Sequence, residues 1–157
     1  ISNALLAYQK GERKHPTIRA ISESLSDQDM ADLAPFYAQQ GADAKAAAEP
    51  SAAPSAEVAA LLTKGNCATC HGKNFSTPID ASYPKLGGQH ADYLFVALKS
   101  YANNTNAKWG RGNVVMQGTL KDEKGGPKFS NAELKLMANY LASLQGETKT
   151  VAQSRFR

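Results

Sequence analysis

Cysteine and tryptophan are scarce in this sequence, which has two cysteines and one tryptophan among its 157 residues. A structural zinc site needs four ligands, and two cysteines with three histidines offer no second ligand pair at finger-like spacing. No apolar run approaches the roughly 20 residues that a membrane-spanning helix needs. The first residues, Ile1-Ser2-Asn3, also lack the basic, apolar and small-residue regions of a signal peptide. The 42% hydrophobic content is enough for the core of one ordinary domain or two small ones.

Both cysteines lie in one short motif, Cys67-x-x-Cys70-His71. This motif is the attachment signature of a c-type haem, because the two thiols add to the haem vinyl groups and the adjacent histidine is held under the iron. A thioredoxin-like thiol pair would need a βαβ setting, whereas an Ala/Leu-rich helical run, residues 57–64, precedes Cys67. The motif therefore predicts one covalent haem c, bound by Cys67 and Cys70 on one helical turn, with His71 as an iron ligand.

Apolar residues recur at helical spacing in five stretches, and no stretch alternates as a strand would, so the predicted fold class is all-α. The first stretch places Ile1, Leu5 and Tyr8 on one helix face. The second begins at Ser26 as N-cap and is expected to bury the stripe Met30, Leu33, Ala34 and Tyr37. The other three helices are predicted over residues 57–64, 90–103 and 130–144.

The two ends of the chain resemble each other. Residues 94–101 match residues 1–8 at an offset of 93, and residues 130–142 match residues 26–38 at an offset of 104. The difference between the offsets is extra loop length in the second copy. Residues 1–40 therefore look like the last two helices of a domain without its haem-attaching half.

The composition changes between these two copies. Residues 41–56 are rich in Ala, Pro and Ser and lack the large apolar side chains of a core, so they are interpreted as a linker. The haem-binding domain is predicted over residues 57–146. Residues 147–157 are predicted to be a C-terminal tail.

Three segments together resemble a class I cytochrome c: residues 67–72, 83–94 and 138–144. The Pro-x-Leu-Gly-Gly-Gln segment that begins at Pro84, and residues 25–34 in the first copy, resemble the two-domain cytochrome c4 family more specifically. The resemblance implies a class I cytochrome c fold around one covalently bound haem, preceded by a partial cytochrome-like segment. Haem c is attached outside the cytoplasmic membrane, so we expect a periplasmic protein and an export signal upstream of a processed or truncated chain.

The resemblance also implies the second iron ligand. Class I cytochromes place a methionine in the loop before the last helix, and Met116 occupies that place, although a lone methionine among valines is also typical of core filler. Met137 is a rival, but it lies on the apolar stripe of the last helix. His90 would give His/His ligation, but it opens a helix just after Gly87-Gly88-Gln89, where a surface or capping role is the simpler explanation. In the first copy the corresponding stretch, residues 17–21, has isoleucines that cannot bind iron.

Three further residues receive roles from the resemblance alone. The Pro84 carbonyl is expected to accept the Nδ1–H of His71, with a simple turn residue as the alternative. Trp109 and Arg111 lie shortly before Met116, where Trp109 could pack on the haem and Arg111 could pair with a propionate. For these two residues, a loop anchor and a solvated charge are at least as compatible with the sequence.

Charge is divided unevenly along the chain. Residues 57–157 hold 13 Lys/Arg against 7 Asp/Glu, whereas residues 1–56 hold 5 against 7. A basic rim around a haem edge would steer an acidic redox partner, with an ordinary solvated surface as the alternative. Scattered lysines without a reading motif argue against nucleic acid as a partner.

The implied function is that of a periplasmic one-electron carrier and not an enzyme. With His71 and Met116 both bound, the iron has no open position for a substrate. We expect electron transfer between respiratory redox partners, for example to a membrane-bound terminal oxidase. Two alternatives remain open: an electron-transfer subunit or domain of a larger periplasmic redox enzyme or respiratory complex, and a haem enzyme or ligand sensor in which Met116 is unbound.

Overall fold

A computed structural model describes residues 1–39, 52–103 and 110–146. The elements in these ranges are α1 (Ser2–Gln9), β1 (Arg13–Lys14), α2 (Pro16–Glu23), α3 (Asp27–Gln39), α4 (Ala56–Lys64), α5 (Cys67–His71), α6 (Ala91–Ala102), β2 (Gly110–Arg111), α7 (Val114–Leu120) and α8 (Asn131–Ser143). The all-α prediction is confirmed. The described ranges also contain one short antiparallel pair of strands, β1 and β2, in which Arg13 lies opposite Arg111.

The described residues form two compact units, one from residues 1–39, 100–103 and 110–127 and the other from residues 52–99 and 128–146. The first unit therefore joins the N-terminal helices to residues 100–103 and 110–127, which lie within the haem domain predicted from the sequence. None of the described helices is long and apolar enough to cross a membrane.

The core of the second unit is formed where α4 packs against α8. The predicted stripe of the last helix is buried there in full, since its four apolar residues are each at most 3% exposed: Leu134, Met137, Leu141 and Leu144. A reciprocal capping box starts α8, because Ser130 accepts from the Glu133 backbone N–H while the Glu133 carboxylate accepts from the Ser130 N–H. The helix start therefore lies within one residue of its predicted position.

In the first unit, α1 packs against α2 and α3. Met30 is 2% exposed, as its place in the predicted stripe required, but Tyr37 on the same stripe is 53% exposed. A residue of a helix is buried only where the helix meets a packing partner. Helix α3 is held near its beginning, where Ser2 Oγ donates to the Met30 carbonyl. The stripe predicted for α3 is therefore wrong at its C-terminal end.

Two helices of the structure, α2 and α7, were not predicted from the sequence. Helix α2 starts at Pro16, a favoured first helical residue, with His15 as its N-cap. Helix α7 starts after the N-cap Asn113 and contains Met116, which was expected in a loop. The capping residues are the main sequence signal of both helices.

The repeat found in the sequence has matching helices. Helices α3 and α8 each have 13 residues and start 104 residues apart, at Asp27 and Asn131. Like α8, α3 begins with a reciprocal bond pair, between Ser26 and Asp29. The extra loop length of the second copy includes residues 121–127, which fold back on themselves through an isolated bridge between Lys121 and Pro127.

A core substitution on α8 tests this packing. We expect Leu134→Ala to lower the free energy of unfolding by about 2–5 kcal/mol, because Leu134 is 1% exposed and its loss leaves a cavity. Leu136→Ala on the same helix is the matched control, since Leu136 is 36% exposed and its truncation should cost less than about 1 kcal/mol. Denaturant unfolding of the two variants measures the difference. Equal losses would contradict the packing of α8 described above.

Candidate haem-attachment site

The two cysteines and His71 share the single turn of α5. Its start is fixed by Asn66, which adopts the left-handed conformation with φ 50° and accepts a 2.6 Å hydrogen bond at Oδ1 from the Thr69 hydroxyl. Residues three apart on a helix lie on one side of it, so Cys67 and Cys70 face the same way. Both cysteines are free thiols and half-buried. Burial raises the pKa of the Cys67 thiol, which keeps it protonated at neutral pH.

Two glycines let the chain close tightly around this turn. Gly65 lies against the motif, where an added Cβ would stand 2.9 Å from Cys67 Sγ. Gly72 ends the turn with φ 78°, and an added Cβ there would collide with the Thr77 carbonyl oxygen. The backbone after His71 therefore turns back over the attachment helix, and the Ile79 N–H reaches the Cys70 carbonyl at 3.1 Å.

His71 is 4% exposed, and its Nδ1 lies 2.9 Å from the Pro84 carbonyl oxygen. A carbonyl only accepts, so Nδ1 carries the proton and Nε2 of the neutral ring carries the lone pair. Burial lowers the pKa of His71, and the hydrogen bond to Pro84 opposes that shift. The imidazole is therefore held in the neutral form that binds a metal.

The donor set fits a c-type haem. Nε2 of His71 is buried and has no hydrogen-bond partner among the described residues, so its lone pair is available to iron. The two thiols are unlinked and lie on the same helical turn as this histidine. The described ranges contain no group of three or more His, Cys, Asp or Glu that would hold a metal ion.

Met116 is the third residue of α7, and its backbone N–H donates to Asn113 Oδ1 at 3.0 Å. It is half-buried. Helix α2 has the same cap geometry, with the Ile18 N–H donating to His15 Nδ1 at 3.4 Å. The caps lie 98 residues apart, between the offsets of the flanking repeats, so Ile18 is the first-copy counterpart of Met116.

The other residues that the sequence suggested for the haem site lie in different environments. Met137 lies in the core of the second unit and is 2% exposed. His90 is exposed immediately before α6. Arg111 lies on β2 with its guanidinium 5.8 Å from the centre of the Tyr101 ring. Trp109 lies outside the described residues.

Residues 55–145 match the model of the cytochrome c family, which is more than half of the chain. The chain belongs to this family. It carries the attachment site for one haem c, and the family consists of electron carriers rather than enzymes. The predicted resemblance is thus confirmed, and so is the predicted cofactor.

Individual relatives agree with this assignment. The chain is 28% identical to cytochrome c4 of Azotobacter vinelandii over 84% of its own length and 61% of that protein. It is 35% identical to cytochrome c-553 of Nitratidesulfovibrio vulgaris over 60% of its own length and 82% of that protein. It is 30% identical to the thiosulfate dehydrogenase electron acceptor of Stutzerimonas stutzeri over 62% of its own length and 48% of that protein. The chain therefore spans about three fifths of the cytochrome c4 relative.

Gly72 gives a direct test of the tight closure behind the cytochrome motif. We expect Gly72→Ala to lower the free energy of unfolding by more than about 2 kcal/mol, because it combines a left-handed backbone with a clash against Thr77. Gly118→Ala is the control, since Gly118 lies within α7 with open space around it, and alanine there should stabilise the helix by up to about 1 kcal/mol. Thermal unfolding of both haem-loaded variants measures the effects. An unchanged midpoint for Gly72→Ala would contradict the closure.

Proposed function

We propose that this protein is a periplasmic one-electron carrier whose covalent haem is bound by Cys67 and Cys70 and ligated by His71 and Met116. The observation that carries the proposal is the buried His71 ring, which is anchored through Nδ1 and leaves Nε2 without a partner among the described residues. The family assignment supports the same function. When bound, the haem supplies a one-electron couple whose potential is raised by methionine ligation.

The residues around His71 fix the protonation and the orientation of its imidazole ring. The Pro84 carbonyl keeps the Nδ1 proton on the ring and fixes the ring orientation. The edge of Tyr83 faces the imidazole, with ring centres 6.3 Å apart. His71 therefore has little freedom to rotate, and a fixed ligand ring changes little between oxidation states.

The assignment of Met116 is supported by its position and by the contrast with its rival. Met116 is half-buried on α7, whereas Met137 fills the core between α4 and α8. In the first copy the counterpart is Ile18, which has no donor atom. We therefore propose a single methionine-ligated haem site within these residues.

The partners proposed for this carrier are redox proteins, including a membrane-bound terminal oxidase. One relative is named as the electron acceptor of thiosulfate dehydrogenase, which supports an oxidoreductase as the donor. The excess of Lys and Arg in residues 57–157 supports partners with acidic docking surfaces. The location outside the cytoplasm is proposed because haem c is attached there.

Methionine ligation is tested by comparing two methionines. In the oxidised protein we expect Met116→Ala to abolish the sulfur-to-iron charge-transfer band, and in the reduced protein we expect it to permit carbon monoxide binding. Met137→Leu is the control, because it preserves core volume and should keep the band and exclude carbon monoxide. Optical spectra of both variants are recorded with and without carbon monoxide. A band that survives Met116→Ala would show that another residue is the ligand.

A further inference from the structure

The Pro84 carbonyl is held in place by its neighbours. Proline has no backbone N–H, and residues 83–90 lie outside the helices and strands. Two and three residues beyond Pro84, the N–H groups of Leu86 and Gly87 donate to the Phe75 carbonyl at 2.7 and 2.9 Å. The position of the Phe75 carbonyl therefore sets the position of this segment and of the carbonyl that faces His71.

Phe75 has an unusual backbone conformation. Its φ is 56°, in the left-handed region that a bulky residue adopts only when its surroundings hold it there. The side chain is 4% exposed and meets Tyr140 edge-on, with ring centres 6.4 Å apart. A more extended backbone at Phe75 would turn its carbonyl away from Leu86 and Gly87.

Asn74 holds this conformation through its side-chain amide. Its Oδ1 accepts from the backbone N–H groups of Ser76 at 3.0 Å and Thr77 at 2.8 Å, and its Nδ2 donates to Thr77 Oγ1 at 3.0 Å. These three hydrogen bonds link Asn74, which precedes Phe75, to Ser76 and Thr77, which follow it. Asn74 is 7% exposed, so water cannot easily replace them.

We propose that Asn74 is a positioning residue for the haem ligand His71, acting through Phe75 and the segment that carries Pro84. The inference rests on haem attachment as proposed above. Without the Asn74 amide, Phe75 relaxes, the segment moves, and the hydrogen bond from His71 Nδ1 to Pro84 weakens. A weaker bond makes the imidazole a poorer electron donor, so the reduction potential rises.

The test uses the full haem-loaded chain and the His71 Nδ1 proton in NMR spectra of the reduced protein. We expect Asn74→Ala to shift this resonance upfield, to speed its exchange with solvent about fivefold, and to raise the reduction potential. Asn74→Asp keeps an acceptor toward Ser76 and Thr77, so exchange should return close to the original rate. Ser76→Ala is the control, because the Ser76 hydroxyl is buried and has no partner among the described residues.

The outcomes separate a positioning role from a structural one. A lower unfolding midpoint for Asn74→Ala with unchanged Nδ1 exchange and unchanged potential would overturn the proposal. If Asn74→Ala fails to fold, Thr77→Val removes only one of the three bonds and should give a smaller increase in exchange, and no increase would again overturn it. Haem content is measured first on the unmodified protein, so that missing haem contradicts the proposed function and not this inference.

Discussion

The haem site depends on one hydrogen bond, from His71 Nδ1–H to the Pro84 carbonyl oxygen. This bond fixes the tautomer, so the lone pair lies on Nε2, and it fixes the plane of a ring that is 4% exposed. Burial of the ring disfavours the protonated form and keeps the imidazole neutral. A short helical turn thereby presents two thiols and one oriented nitrogen donor.

Other residues of the second unit position both His71 and Pro84, the two partners of this hydrogen bond. On the histidine side, Gly72 lets the chain turn back over α5. On the proline side, the Gly88 N–H donates to the Leu141 carbonyl at 3.1 Å, and an added Cβ on Gly146 would collide with the Gly87 carbonyl oxygen. The paired glycines after Pro84 therefore lie directly against the end of α8. Core packing between α4 and α8 is in this way connected to the orientation of His71, the proposed iron ligand.

The sequence predicted the parts of the molecule that rest on strong local signals. The haem motif, the buried stripe of α8 and the start of that helix followed from fixed spacing, apolar periodicity and a capping box. Helix α2 and the helix that carries Met116 were missed, although Pro16, a favoured first helical residue, and the N-cap Asn113 mark their starts in the sequence. Tyr37 was expected to be buried but is exposed, because apolar periodicity predicts which face of a helix is apolar and not which element covers that face. The hydrogen bonds of Asn74 depend on the left-handed backbone conformation of Phe75, and no sequence pattern predicts that conformation.

The intact mass of the purified, denatured protein tests the central claim most directly, because thioether bonds keep haem c on the chain after unfolding. For residues 1–157 we expect the mass of the polypeptide plus one haem, and loss of that added mass when Cys67 and Cys70 are both replaced by serine. A mass equal to the bare polypeptide would contradict haem attachment and, with it, the electron-carrier function.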